Sequence, residues 1–295
     1  MKVMARKNGT EVTKVDEASN QVALSTEISD QLPDYLAGNE KTGMEKFGRQ
    51  DLKIPRIKLL QPLTPEVKTF QGVAIPGEFW HTIAQKSLGK EFLAVVCIAA
   101  KRVILWRPRD DGDGGILAMS RDAVHWQTGA NGKYSVKLKG VPNNVIWETK
   151  GSVGESGLLE FGTQNPDDPK SAPAATLSYE YLLYVVGQPD LSPVVLSAFK
   201  TGVPNAKAFN SRMFMQRKPI PCMVAKFFVD EKQSNRNEWW IPNYSPAGFA
   251  SKELYATTSR IAKEFEEYDI DLEQDAETDN SINADATAVD DQIKY

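Results

Sequence analysis

Cations and aromatic side chains interleave between Phe199 and Tyr244. Lys200, Lys207, Arg212, Arg217, Lys218, Lys226, Lys232 and Arg236 are opposed only by Asp230, Glu231 and Glu238, and Phe199, Phe209, Phe214, Phe227, Phe228, Trp239, Trp240 and Tyr244 lie among them. Single-stranded nucleic acid needs this mixture, because cations follow the phosphates while aromatic faces stack on unpaired bases with little sequence preference. A shorter version, Trp106-Arg107-Pro108-Arg109, closes an apolar run. Most Phe in strands are core, and a run of charge is usually a solvated face. Trp239 and Trp240 are adjacent, and neighbours on a strand face opposite ways, so one of the two points outward. The expected nucleic-acid-binding set is therefore Trp106, Arg107, Arg109, Lys200, Lys207, Arg212, Arg217, Lys218, Trp239, Trp240 and Tyr244. In it the cations neutralise phosphates and the aromatics stack.

Catalytic patterns fare worse. The two histidines, His81 and His125, lie at no metal-ligand spacing from each other or from a Cys. Neither a phosphate-cradling Gly-rich loop ending in Lys-Ser/Thr nor a nucleophile elbow occurs. The run Asp110-Asp111-Gly112-Asp113-Gly114-Gly115 suggests calcium, but an EF-hand counted from Asp111 would need Gly and Glu where Ile116 and Asp122 stand. It reads as a turn between strands. The expectation is a non-catalytic protein with no metal and no cofactor.

The elements that must position these residues are mostly strands. Glu91–Trp106 is rich in branched and aromatic residues and is too long for one flat strand, so a bend or bulge is expected near Ala99–Lys101. Further strands are expected at Ile116–Ser120, Tyr134–Lys139, Val145–Glu148, Leu158–Phe161, Leu177–Val186 and Val194–Lys200, the last two joined by the turn Gly187–Asp190. Met223–Val229 and Glu238–Ile241 form a second hairpin across the polar loop Asp230–Asn237. Ala206–Met215 reads as a helix capped by Asn205 and ended before Pro219, and Ser251–Tyr268 as a helix with Leu254, Ile261 and Phe265 on one face. Three prolines in DLKIPRIKLLQPLTPEV exclude a long helix there. Residues 1–30 read as a flexible arm, with a short helix around Asp30–Leu36, and Gly162–Ala175, with three Pro, as a mobile loop. The fold class expected is mainly β: an OB-like antiparallel barrel or sandwich with peripheral helices, a core over 31–248, a C-terminal helix over 249–268 and disordered ends.

Charge sharpens the functional expectation. The 295 residues carry a formal −4, but Glu264–Tyr295 holds twelve acidic residues against Lys294, a local −11 that leaves +7 for the rest. An acidic disordered tail, 269–295, tethered to a basic body can compete with nucleic acid and recruit partners. Its end, with Asp290, Asp291 and Tyr295, makes a peptide handle for a protein pocket. Two cysteines, Cys97 and Cys222, both in apolar runs, point to buried thiols in a reducing compartment. The longest apolar run, Phe92–Ala100, is far short of the roughly 20 residues that span a bilayer, and the N-terminus lacks a signal-peptide core.

A basic β-rich body with an acidic tail closed by an aromatic, Tyr295, resembles the single-stranded DNA-binding proteins encoded by short-tailed bacteriophages. The order DLKIPRIKLLQPLTPEV, GEFWHTI, LSYEYLLYVV and LSAFKTG also resembles phage proteins of similar length. The resemblance implies an OB-fold, single-stranded DNA as ligand, a role in phage DNA replication and recombination, and tail-mediated contact with polymerase, helicase/primase or recombinase. It also implies action in the host cytoplasm, with no membrane partner and with self-association left open. The other reading is a virion structural or capsid-associated β-sandwich protein.

Overall fold

A computed structural model describes residues 54–108, 111, 115–127, 131–233 and 238–266, with Asn131 described by its backbone alone. The 1–30 arm, the Asp30–Leu36 helix and the 269–295 tail lie outside these residues. The protein is mainly β, with a curled, half-barrel sheet and few helices. In chain order the elements are β1 (Arg56–Leu59), α1 (Pro65–Thr69), β2 (Phe79–His81), β3 (Lys86–Gly89), β4 (Glu91–Trp106), β5 (Ile116–Ser120), β6 (Asn131–Val136), β7 (Val145–Lys150), α2 (Val153–Ser156), β8 (Ala175–Val185), β9 (Val194–Phe199), α3 (Val203–Gln216), β10 (Met223–Gln233), β11 (Glu238–Phe249) and α4 (Lys252–Glu266).

The main sheet runs β11-β10-β4-β8-β9-β1-β2-β3, antiparallel except for the parallel pair β1–β9. β4 is long enough to serve two neighbours on one side. Glu91–Val95 pair with β10, and Val103–Trp106 pair with β5. The expected bulge is present, but its register shift falls between Val96 and Ile98, slightly before Ala99.

On one face, β8 points Ala175, Leu177, Tyr179, Tyr181, Leu183 and Val185 inward. The Tyr181 end joins a core with Phe79, Phe92, Phe227 and Tyr244, covered by Ala206, Phe209 and Met213 of α3. The Ala175 end packs against a lobe built from the β6–β7 hairpin and α2, centred on Trp126, Trp147 and Leu158. The opposite face is covered by α4, whose Ile261 and Ala262 pack on Cys97, Leu182 and Val195. That face also carries an ionic centre, in which Glu180 meets Arg102 at 2.8 Å and Arg56 at 3.6 Å, and Arg56 donates to Ser197 Oγ at 2.6 Å. All three charges are buried, so the pairing offsets a desolvation that neither sign could bear alone.

Two expectations, the Leu158–Phe161 strand and the Asn205 cap, need correction. Leu158–Phe161 is turn rather than strand, because the capping box of Ser152 and Glu155 starts α2 just before it and Gly157, at φ 67°, ends that helix. Gly162–Ala175 is a loop up to the start of β8, and hydrogen bonds tie it. Gly162 and Gln164 donate to the Ser171 and Ala172 carbonyls, Thr163 Oγ1 accepts from Ala174 N, and Trp147 Nε1 donates to the Thr163 carbonyl. Asn205 does not cap α3: the helix begins two residues earlier with Pro204 in its first turn, and Asn205 Nδ2 donates instead to the Pro242 carbonyl on β11.

Candidate nucleic-acid interface

Helix α3 is amphipathic by spacing. Ala206, Phe209 and Met213 recur on the buried side, and no Asp or Glu occurs anywhere in its length. The solvent side therefore carries Lys207 and Arg212 on the helix, with Arg217 and Lys218 just beyond it, all exposed. Between them Phe214 and Met215 stand 86% and 76% exposed, the two most open large apolar side chains among the described residues. An aromatic so placed covers no core, and with exposed cations on the same helix and its exit turn it suits an anionic, stackable ligand. Lys200 and Arg217, which flank the helix, both sit in the left-handed region, at φ 49° and 51°. For residues with a Cβ this costs of order 1–2 kcal/mol each, which the packing of α3 must hold in place.

The expected residues divide unequally. Lys207, Arg217 and Lys218 are gathered by α3 and its exit turn, with no carboxylate partner among the described residues. Arg212 also reaches back, its Nη1 donating to the Tyr244 carbonyl at 3.3 Å. It thus helps to seal the edge of β11, where Pro242 and Pro246 lack donors and Asn205 covers the Pro242 carbonyl. Lys200 is half-buried in the turn between β9 and α3. Lys226 is tied to Glu91 at 2.7 Å, and a shared hydrogen bond with Glu231 holds the Glu238 carboxyl above its usual range.

Tyr244 cannot stack on a base: it is 1% exposed, packed among Tyr181, Phe209 and Phe227 at centroid distances of 5.2–5.7 Å. Strand alternation places it inward, and burial raises its phenol pKa well above the ordinary value. Trp240 is committed to the seam of the curled sheet. Gln61 Oε1 accepts from its backbone N at 3.1 Å, Gln61 Nε2 donates to its carbonyl at 2.8 Å, and its indole lies over Gly77. Trp239 is half-buried as well, on the other face of β11 by strand alternation.

The Trp106 turn is a separate place. Trp106 is half-buried against Ile104, Met119 and Ile116, and Arg107 Nη1 contacts Asp111 Oδ2 at 2.9 Å, while Asp111 Oδ1 accepts from Lys137 N. Arg107 thus stands beside the β6 ribbon rather than beside α3. Arg109, Arg236, Asp290, Asp291 and Tyr295 lie outside the described residues. Phe214 is the residue that weighing the aromatics one by one passes over. Its signal was the helical period itself, since Phe209 and Met213 define the buried side and Phe214 falls off it.

Cys97 is buried and its thiol is pushed up to about 12 by desolvation, so it is a core residue and no nucleophile. Among the described residues no group of His, Cys, Asp and Glu is arranged to hold a metal ion, and no helix is long and apolar enough to cross a membrane.

No curated protein and no solved structure matches this chain. Residues 24–270 match the family described as Pam3 phage gp34-like protein. That span takes in every described strand and helix, from β1 to α4, and stops where the acidic tail continues. The curled β-sheet and the α3 surface therefore belong to a bacteriophage protein, and the chain is a member of the Pam3 phage gp34-like family.

Proposed function

We propose that this protein binds single-stranded DNA without catalysing a reaction on it, in support of phage DNA replication and recombination. The observation that carries the reading is α3 with its exit turn: Lys207, Arg217 and Lys218, free of carboxylate partners among the described residues, around an 86% exposed Phe214. Cations there meet phosphates, and the Phe214 ring offers a base its face. The acidic tail would limit non-specific binding and carry contacts to polymerase, helicase/primase or recombinase.

The test is titration of the full chain with poly(dT), read by the fluorescence of its six Trp, at two salt concentrations. Binding should weaken as salt rises, with a log–log slope that drops by about 0.7 for each cation lost in K207E and K218E. F214A should cost about 1–3 kcal/mol of affinity, the worth of one stacked base. A salt-independent response, or an F214A variant that binds like the wild type, would reject the assignment.

A further inference from the structure

One stretch of the sheet is left bare. On the face shared by α3 and the lobe, the register sets Ala99 opposite Tyr181, Lys101 opposite Tyr179, Val103 opposite Leu177 and Leu105 opposite Ala175. Tyr181 is sealed under α3, where its hydroxyl donates to Asn210 Oδ1 at 2.8 Å and its ring meets Phe209. Val103, Leu105 and Ala175 are sealed under the lobe. Between these covers Ala99 and Lys101 are exposed and Tyr179 is half-exposed. From Ala99 to Val103 is four residues, about 13 Å of strand, wide enough for one extended chain.

The wall on the α3 side is identifiable from helical spacing. Lys207, Asn210 and Phe214 stand at i, i+3 and i+7 and share one stripe. Asn210 holds the Tyr181 hydroxyl, so the stripe is turned towards β8, and Lys207 and Phe214 border the bare strip. Among the described residues the side of β4 beyond the strip has no strand neighbour between its β10 and β5 pairings, and the turn Ile220–Cys222, which follows Lys218 and leads into β10, packs on β4.

We infer that the strip is the floor of the single-strand site: Tyr179 stacks on a base, Lys101 meets a phosphate, and Lys207 and Phe214 form the wall. This rests on the single-stranded DNA reading and extends it from one helix to a track across the sheet. Tyr179 has the attributes a stacking floor needs. It is anchored on a central strand and half-exposed; of its two cross-strand neighbours one is the exposed cation Lys101 and the other is the buried Ala198, whose core the ring packs against. Among the other sheet aromatics, Tyr181, Phe227 and Tyr244 are buried and unavailable.

The experiment is fluorescence anisotropy of a labelled oligo(dT) with the full chain, comparing wild type, Y179L, Y179F, K101E and F214A, with circular dichroism on each. Y179L should weaken binding about tenfold or more while Y179F, which keeps the ring, stays within a factor of two or three. K101E, a surface change that leaves the core untouched, should weaken binding and flatten the salt dependence. If Y179L loses its fold, K101E alone decides. Wild-type affinity in both Y179L and K101E, with F214A weakened, would overturn the strip while leaving α3 as the interface. Loss in K101E with none in a folded Y179L would overturn the stacking role of Tyr179. No binding by the wild-type chain would overturn the whole reading.

Discussion

At the residue scale, side chains of the same type have opposite roles because of where the backbone aims them. Phe209 and Phe214 are five positions apart on one helix, yet one closes the core and the other meets solvent. The same holds for the histidines. His125 is exposed beside Asp122, whose carboxyl is held well below the usual range by the backbone N–H of His125, the His125 ring and the Val124 N–H. His81 is 3% exposed, accepts from Ala84 N through Nδ1, and has its pKa lowered by burial despite opposing contributions from the Leu191 carbonyl and Asp190. A base whose folded pKa lies below its unfolded 6.5 binds protons more readily when unfolded, so its neutrality stabilises the fold above that pH and the benefit is lost as pH falls below it. The urea midpoint should therefore drop between pH 7.5 and pH 5.5. The drop should be smaller in H81Q, which cannot take the charge. An identical pH dependence in H81Q would show that His81 is not a source of it.

At the scale of elements, the curled sheet is held at its rim by a side chain standing in for a strand. Gln61 gives Trp240 both the acceptor and the donor that a neighbouring strand would supply, and the indole fits because residue 77 has no Cβ. Gly77 is at φ 82°, and a Cβ there would lie 2.8 Å from Trp240 Nε1 and 3.0 Å from Cε2. Gly77→Ala should cost about 2–4 kcal/mol, combining left-handed strain with overpacking. Urea denaturation checks this, and a loss below about 1 kcal/mol would mean the seam yields freely. The Trp239-Trp240 pair shows how far sequence reaches here. Alternation sets the two rings on opposite faces, but both are half-buried, and the groups that hold Trp240, Gln61 and Gly77, lie far away in the chain. Tyr244 was misjudged for a related reason: its basic neighbours suggested a surface, while its strand parity placed it beneath α3.

At the scale of the whole molecule, the formal charge divides into +7 on the body and −11 on Glu264–Tyr295. If the tail competes for the α3 surface, deleting residues 269–295 should tighten binding to single strands at low salt, with the advantage shrinking as salt screens both partners. Equal affinity of the truncated and intact chains at low salt would remove the tail from the binding equilibrium.

Local chemistry by itself determined a good deal of this protein. Branched residues bounded by Gly89 and Pro108 marked β4 end to end, the apolar period and Pro219 marked α3, and counting charge separated the body from the tail. These follow from periodicity and turn residues, which act over a few positions. Only the tertiary structure decided which aromatics are open. That depends on which face of the sheet each strand presents and on what covers it, so α3 and the lobe bury Tyr181 and Leu105 yet leave Lys101 exposed and Tyr179 half-exposed between them. Burial is a property of contacts between residues far apart in the chain, and the spacing of neighbours does not contain it.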